Sequence, residues 1–190
     1  MLYLLGGAAR SGKSIIARRI LSEKNIPFFA LDYQATGAAK SIPQLEIDLD
    51  QDDAGVGEKI WPFVKSVAKC ILHNKGDYLL EGALLQPTYV DELRSEFPSR
   101  VIGCFTGYAE AEIHEKFRAV RQFGGGPDDW MMKFDDGIVM QELERLKEVN
   151  AQLKAECKIH NLRYFETSKD FEQSIAEVVR YLTTGARNGI

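Results

Sequence analysis

The chain has 190 residues, enough for one domain with a good-sized core. Its 45% hydrophobic and 27% charged residues suit a globular protein in water. A net charge of -4 offers nucleic acid no bulk attraction, and no stretch is long and apolar enough to span a bilayer.

The first apolar run, Leu2-Tyr3-Leu4-Leu5, predicts a strand over Tyr3–Leu5. It lacks the basic leader of a signal peptide. Directly after it, Gly7-Ala8-Ala9-Arg10-Ser11-Gly12-Lys13-Ser14 fits the pattern G-x-x-x-x-G-K-[ST]. Gly7 and Gly12 can adopt backbone angles closed to other residues, so successive N–H groups turn inward around an anion. Lys13 would place its charge on the β- and γ-phosphates of a nucleotide, and the Ser14 hydroxyl can ligate Mg²⁺. A helix over Lys13–Glu23, with Ile16, Ile20 and Leu21 on one face, aims its positive end at the same anion. Arg10 fills a variable place, where it could reach a phosphate, a carboxylate of the acceptor, or solvent.

The second strand, Pro27–Leu31, delivers Asp32 to its carboxyl end. Ligands of parallel sheets bind beyond that end. Asp32 could accept or orient the proton of an attacking hydroxyl; the competing reading is an Asp that caps the next turn. Residues Tyr33–Gly57, rich in Gly, Asp and Gln, read as a long connection that roofs an acceptor. A helix follows over Glu58–Asn74, with Pro62 preferring its first turn and Trp61 outside it.

The third strand, Tyr78–Leu80, ends at Glu81, expected to hold Mg²⁺ through water or to bind the acceptor, unless a nearby helix N-terminus satisfies it. Gly82 permits close backbone approach. A helix over Thr88–Phe97 and a strand over Val101–Phe105 come next. The helix over Ala109–Phe123 carries Arg118 and Arg121 on one face, where they could close over a migrating phosphoryl group. Lys116 is less well placed, and Lys133 is a weaker candidate. The segment Gly124–Asp136 breaks the alternation with Gly124-Gly125-Gly126-Pro127-Asp128-Asp129.

The helix Gly137–Ile159 has the firmest period, with Val139, Leu143, Leu146, Asn150, Leu153 and Cys157 three or four apart. A last strand, Arg163–Glu166, places Thr167 and Ser168 where they could bracket an adenine ring or cap a helix. The final helix, Asp170–Thr183, shows a stripe of Phe171, Ile175, Val178, Val179 and Leu182, with Asp170 and Gln173 as a capping pair. His73, His114 and His160 show no convergent spacing. Cys70, Cys104 and Cys157 lack metal-ligand spacing and lie in apolar patterns, which predicts buried free thiols in a reducing cytoplasm.

Two matches imitate a GTP switch. Asn74-Lys75-Gly76-Asp77 fits N-K-x-D but follows a helix instead of a strand, so it reads as a turn. Asp52-Asp53-Ala54-Gly55 fits D-x-x-G but lacks a strand before it, so it reads as solvated loop.

Five strands alternating with helices predict a parallel sheet covered on both faces. With the phosphate loop, this order resembles the P-loop kinases of nucleoside monophosphates and small metabolites, a group that includes adenylate, shikimate and gluconate kinases. The segment Glu81-Gly82-Ala83-Leu84-Leu85-Gln86-Pro87 looks like the acidic-Gly segment after their third strand, and is also similar to that of 2-phosphoglycerate kinases. Monophosphate kinases more often have Asp-Gly followed by Pro-Arg. Here no arginine follows until Arg94, which weighs against a nucleotide acceptor. Asp32 resembles the strand-end Asp of phosphotransferases that act on sugar or antibiotic hydroxyls. Arg118 and Arg121 look like lid arginines.

The resemblance implies a three-layer α/β P-loop NTPase fold with a five-stranded parallel sheet of order 2-3-1-4-5, helices on both faces and a small lid. Residues 1–190 would form one domain, with an acceptor-binding insertion at about 33–57 and a lid at about 118–136. The implied activity moves the γ-phosphoryl group of Mg·ATP to a hydroxyl-bearing metabolite in the cytoplasm. Lys13, Asp32, Arg118 and Arg121 would be catalytic. Gly7, Ala8, Ala9, Arg10, Ser11, Gly12, Lys13, Ser14 and Thr167 would bind ATP, and Ser14 and Glu81 would bind Mg²⁺. The partners implied are ATP and a small-molecule acceptor, without nucleic acid or membrane. A nucleoside monophosphate kinase and a nucleotide-binding regulator or ATPase without an acceptor are the alternatives.

Overall fold

The central strand β1 (Leu2–Gly7) is wholly buried, because its apolar side chains face helices on both sides of a sheet. A computed structural model describes residues 1–124 and 129–184. In it β1 lies between β3 (Tyr78–Gly82) and β4 (Val101–Gly107). Strand β2 (Phe28–Ala30) flanks β3, and β5 (Arg163–Glu166) flanks β4. All pairs are parallel, and the order is β2-β3-β1-β4-β5, as the resemblance implied.

Side chains alternate across the strands. Tyr3 and Leu5 pack with α1 (Lys13–Lys24) and α7 (Phe171–Thr184) on one face. Leu2 and Leu4 pack on the other with α2 (Leu31–Ser41), α3 (Asp53–His73), α4 (Pro87–Glu96) and α6 (Asp136–Ile159). A third cluster lies beyond the sheet edge, where Val120 of α5 (Ile113–Phe123) meets Val139, Leu143 and Leu146 of α6 and Ala8 of the phosphate loop. The predicted α6 stripe is buried in full, from Val139 to Cys157. It serves two cores, because a helix of 24 residues is about 36 Å long. Among the described residues no helix is long and apolar enough to cross a membrane.

Several expectations need correction. The stretch Tyr33–Gly57 is not a bare connection. It holds most of α2, a short 3-10 turn (Pro43–Leu45) and the first turn of α3. Leu31, Gln34, Ala35 and Ala38 recur at helical spacing as the buried face of α2, a period masked by polar composition. Helix α3 starts at Asp53 and runs through Trp61 and Pro62. Asp52 caps it by accepting from the Gly55 N–H at 2.8 Å, so the D-x-x-G match is a helix start instead of solvated loop. Burying Val56, Ile60, Val64 and Leu72 is worth roughly 1.5–3 kcal/mol each. That outweighs the cost of about 3 kcal/mol for an interior proline.

Helix α5 begins at Ile113 and not Ala109, because the Ala109 and Glu110 N–H groups donate to the Tyr164 hydroxyl and the Glu166 carboxylate. Cys104 and Cys157 are buried, but Cys70 and Leu21 face solvent on helix sides turned from the core. The N-K-x-D match is a turn as read, with Asn74 ending α3 and Lys75 left-handed at φ 57.

Candidate active site

The phosphate loop is shaped by backbone angles. Gly7 has φ 141 and Gly12 φ 93, where a Cβ is strained. Space forbids it too, since a Cβ on Gly7 would come 2.1 Å from the Thr106 carbonyl. Arg10 also sits at positive φ, 66. The Ser11 and Thr106 hydroxyls share a buried hydrogen bond of 2.9 Å that ties the loop to β4. Helix α1 starts at Lys13 with Gly12 as its N-cap, so its free N–H groups face the concavity of the loop. Lys13 is 8% exposed, and its Nζ donates to the Ala8 carbonyl at 2.9 Å.

Three carboxylates face Lys13. Glu81, 5% exposed at the end of β3, accepts from the Ser14 hydroxyl at 3.3 Å. Asp32 stands in the first turn of α2 and Asp53 in the first turn of α3. Burial lowers the Lys13 pKa, and Glu81, Asp32 and Asp53 oppose that shift. Burial raises the pKa of all three acids, while Lys13 pulls each back down. Asp32 and Asp53 are exposed to the open cleft yet crowded by protein on their other sides, so solvent tempers an upward shift without reversing it. The Ser14 hydroxyl beside the Glu81 carboxylate is a pair of hard oxygen donors next to a phosphate cradle, which fits Mg²⁺. Among the described residues no set of three or more His, Cys, Asp or Glu could hold a metal by themselves.

Sequence reasoning missed Asp53. Its signal was a capping Asp52 before apolar residues at Val56, Ile60 and Val64. Asp53 lines a cavity of about 150 Å³ together with Gly7, Ala8, Asp52, Gln86 and Arg145. A larger groove, about 450 Å³, lies along the outer side of α3 near Phe63, Val67, Ile71 and Tyr78. Tyr78 is the amino end of β3, and no charged side chain lines the groove, so its size does not make it the site.

The arm from α5 to α6 distributes its cations unevenly. Arg118 is exposed, with only a 4.0 Å pairing to Glu115. Arg121 reaches across the arm, donating to the Phe134 carbonyl at 2.8 Å and pairing with Asp136 at 2.7 Å. The two share a helix side but not an environment. Lys116, discounted from its spacing, donates to the Arg10 carbonyl of the phosphate loop at 2.9 Å and lies over the Tyr108 ring. Burial and the neighbouring Arg10 bring its pKa down to about 8. Arg10 itself pairs with the buried Asp129. Residues 125–128 of the expected lid lie outside the described residues. Thr167 is buried, and its hydroxyl donates to the Gly107 carbonyl at 3.0 Å, so the side chain is engaged by β4. Ser168 donates to Glu166 at 2.7 Å.

No family model matches the chain, and no curated sequence does. Solved structures match it along nearly its whole length. A shikimate kinase from Bacteroides thetaiotaomicron has a TM-score of 0.58 at 16% identity, covering 96% of this chain and 98% of that one. A gluconokinase from Sinorhizobium meliloti 1021 has a TM-score of 0.56 at 16% identity, covering 98% and 93%. The YorR protein of Bacillus subtilis, solved in complex with phosphorylated GDP, has a TM-score of 0.56 at 12% identity, covering 97% and 96%. The chain therefore shares the fold of these structures.

Proposed function

We propose that the protein is an ATP-dependent phosphotransferase that moves the γ-phosphoryl group of Mg·ATP to a hydroxyl of a small metabolite. One observation carries the reading: the cavity walled by Asp53 is lined by Gly7 and Ala8 of the phosphate loop itself. A molecule held there lies against the phosphates, with Asp32 and Lys13 beside it.

The acceptor oxygen forms its bond to Pγ as the bond to the β,γ-bridging oxygen breaks, releasing ADP. The hydroxyl proton passes to Asp32, a better base for its raised pKa. Lys13 and the loop N–H groups hold the developing charge. Bound Mg²⁺, on Ser14 and Glu81, would neutralise phosphate charge. Arg118 is the arm's loosely held arginine, free to swing onto the transferred group, and Arg121 fastens the arm from which it acts. Helix α2 and the first turn of α3 roof the acceptor, and the nucleotide base lies near Thr167. Free Cys104 and Cys157 suit a cytoplasmic enzyme.

A nucleoside monophosphate acceptor is less well served. Arg94 is held by Asp91 and by the His160 and Asn161 carbonyls, and so is committed to the packing of α4. The test is ADP release from Mg·ATP with and without pooled metabolites. Low release alone and a rise with the pool is the expected result. Nucleotide binding with release indifferent to every pool would favour a regulator or ATPase. No heat from ATP or GTP at millimolar levels would end the nucleotide reading altogether.

A further inference from the structure

The acceptor end of the cleft has a charge pattern of its own. Asp52, Asp53 and Glu156 line the cavity, and Asp32 stands close enough to Asp53 to make the ionisation of Asp53 costlier. Arg145 is the one basic residue among the described lining. It is already matched by Glu142, through two hydrogen bonds of 2.8 and 2.7 Å.

A second observation is independent of charge. Gln34 follows Asp32 by two residues on the inward side of α2 and is 5% exposed. Neither its amide nitrogen nor its amide oxygen has a partner among the described residues. A buried amide left unpaired is costly, and Gln34 stands two residues from Asp32 on the buried face of α2, outside the residues that line the cavity.

Resting on the kinase reading, we infer that the acceptor is a neutral or ammonium-bearing polyhydroxyl compound, such as a sugar, a cyclitol or an amino derivative of either. We further infer that Asp53 enforces the choice. Carboxylates accept from hydroxyl and ammonium groups, and have no proton to offer an anion. An acid or phosphate ester entering this cavity meets like charge, and the one guanidinium among the described lining is already paired with Glu142. The pocket thus selects by repulsion as much as by attraction. Shikimate and gluconate, for which two of the structural neighbours are named, are both carboxylic acids. On this inference the shared fold does not bring the acid acceptors of those two neighbours with it.

The test uses the full-length protein with Mg·ATP and measures ADP release and phosphorylated product by mass spectrometry. Three acceptor sets are compared: hydroxy acids and nucleoside monophosphates, neutral sugars and cyclitols, and amino sugars and aminocyclitols. Turnover confined to the last two sets is expected. Asp53→Asn should raise KM for the accepted compound by about tenfold, with KM for ATP within about twofold of the parent. Glu156→Gln, further along the cavity, should raise the same KM and serves if the first variant misfolds. Turnover of an acid, with KM untouched in Asp53→Asn, overturns the inference and leaves the kinase reading standing. ADP release unresponsive to all three sets overturns both.

Discussion

At the proposed phosphate end of the cleft, eight consecutive residues, Gly7 to Ser14, offer a surface made largely of their own backbone. At the proposed acceptor end, the side chains come from α2, α3, the segment after β3, and α6, at Asp32, Asp53, Gln86, Arg145 and Glu156. The first end is rigid, because its conformation is enforced by positive φ at Gly7 and Gly12 and by the Ser11–Thr106 hydrogen bond. The second is built from side chains on helices that can change one at a time. A site that grips an invariant triphosphate with main chain, and a variable partner with side chains, can keep its reaction while exchanging its substrate.

The sharpest way to break that contrast is Lys13→Ala, the loop's one charged contribution from a side chain so deeply buried. Turnover should fall about 10²–10³-fold, with circular dichroism unchanged. Undiminished turnover would remove Lys13 from the chemistry. Asp32→Asn probes the boundary between the two ends. It should lower acceptor-dependent ADP release about 10²-fold or more while ATP affinity holds. A change below about twofold would leave Asp32 as a helix first-turn residue with no part in proton transfer.

Asn150 tests the seam between the sheet and the arm. It is fully buried in α6, its Nδ2 donates to the Leu146 carbonyl, and its Oδ1 accepts from the Tyr108 N–H. Asn150→Ala would leave that N–H unpaired and should cost about 1–3 kcal/mol in urea unfolding. Arg121→Ala should cost about 1 kcal/mol, since its partners lie at a partly exposed surface. Arg118→Ala should stay within about 0.5 kcal/mol, so that any loss of rate in it reports on catalysis. Equal destabilisation of both would refute the division of labour along α5.

The smallest effect is one of pH. Asp32, Asp53 and Glu81 all have folded pKa values raised above their ordinary range. In that window the folded state binds more protons than the unfolded one. The stabilisation they contribute is therefore complete below the ordinary carboxylate pKa and is lost as pH rises through the higher folded values. Unfolding midpoints of the ligand-free protein should show Asp53→Asn gaining on the parent as pH climbs through that window. A constant difference between the two would show that Asp53 titrates normally.

The phosphate loop, the alternation of strands and helices, and the α6 stripe were all legible in the amino-acid order. Each depends on neighbours a few residues apart: a strained turn, a period of two, a period near four. The same local rules failed where composition hid the period, as in α2, whose buried face is Leu31, Gln34, Ala35 and Ala38 amid polar residues. They also failed where the meaning of a side chain depends on what the fold brings to it. Asp53 looked like solvated loop until the start of α3 set it against Lys13. Lys116 looked misplaced until α5 packed beside the phosphate loop, and Arg118 and Arg121 looked alike until one was fastened to Asp136 and the other was not. Backbone conformation and periodicity are short-range properties that a sequence writes down directly. Burial, charge pairing and the convergence of residues far apart in the chain arise only when packing decides which surfaces meet.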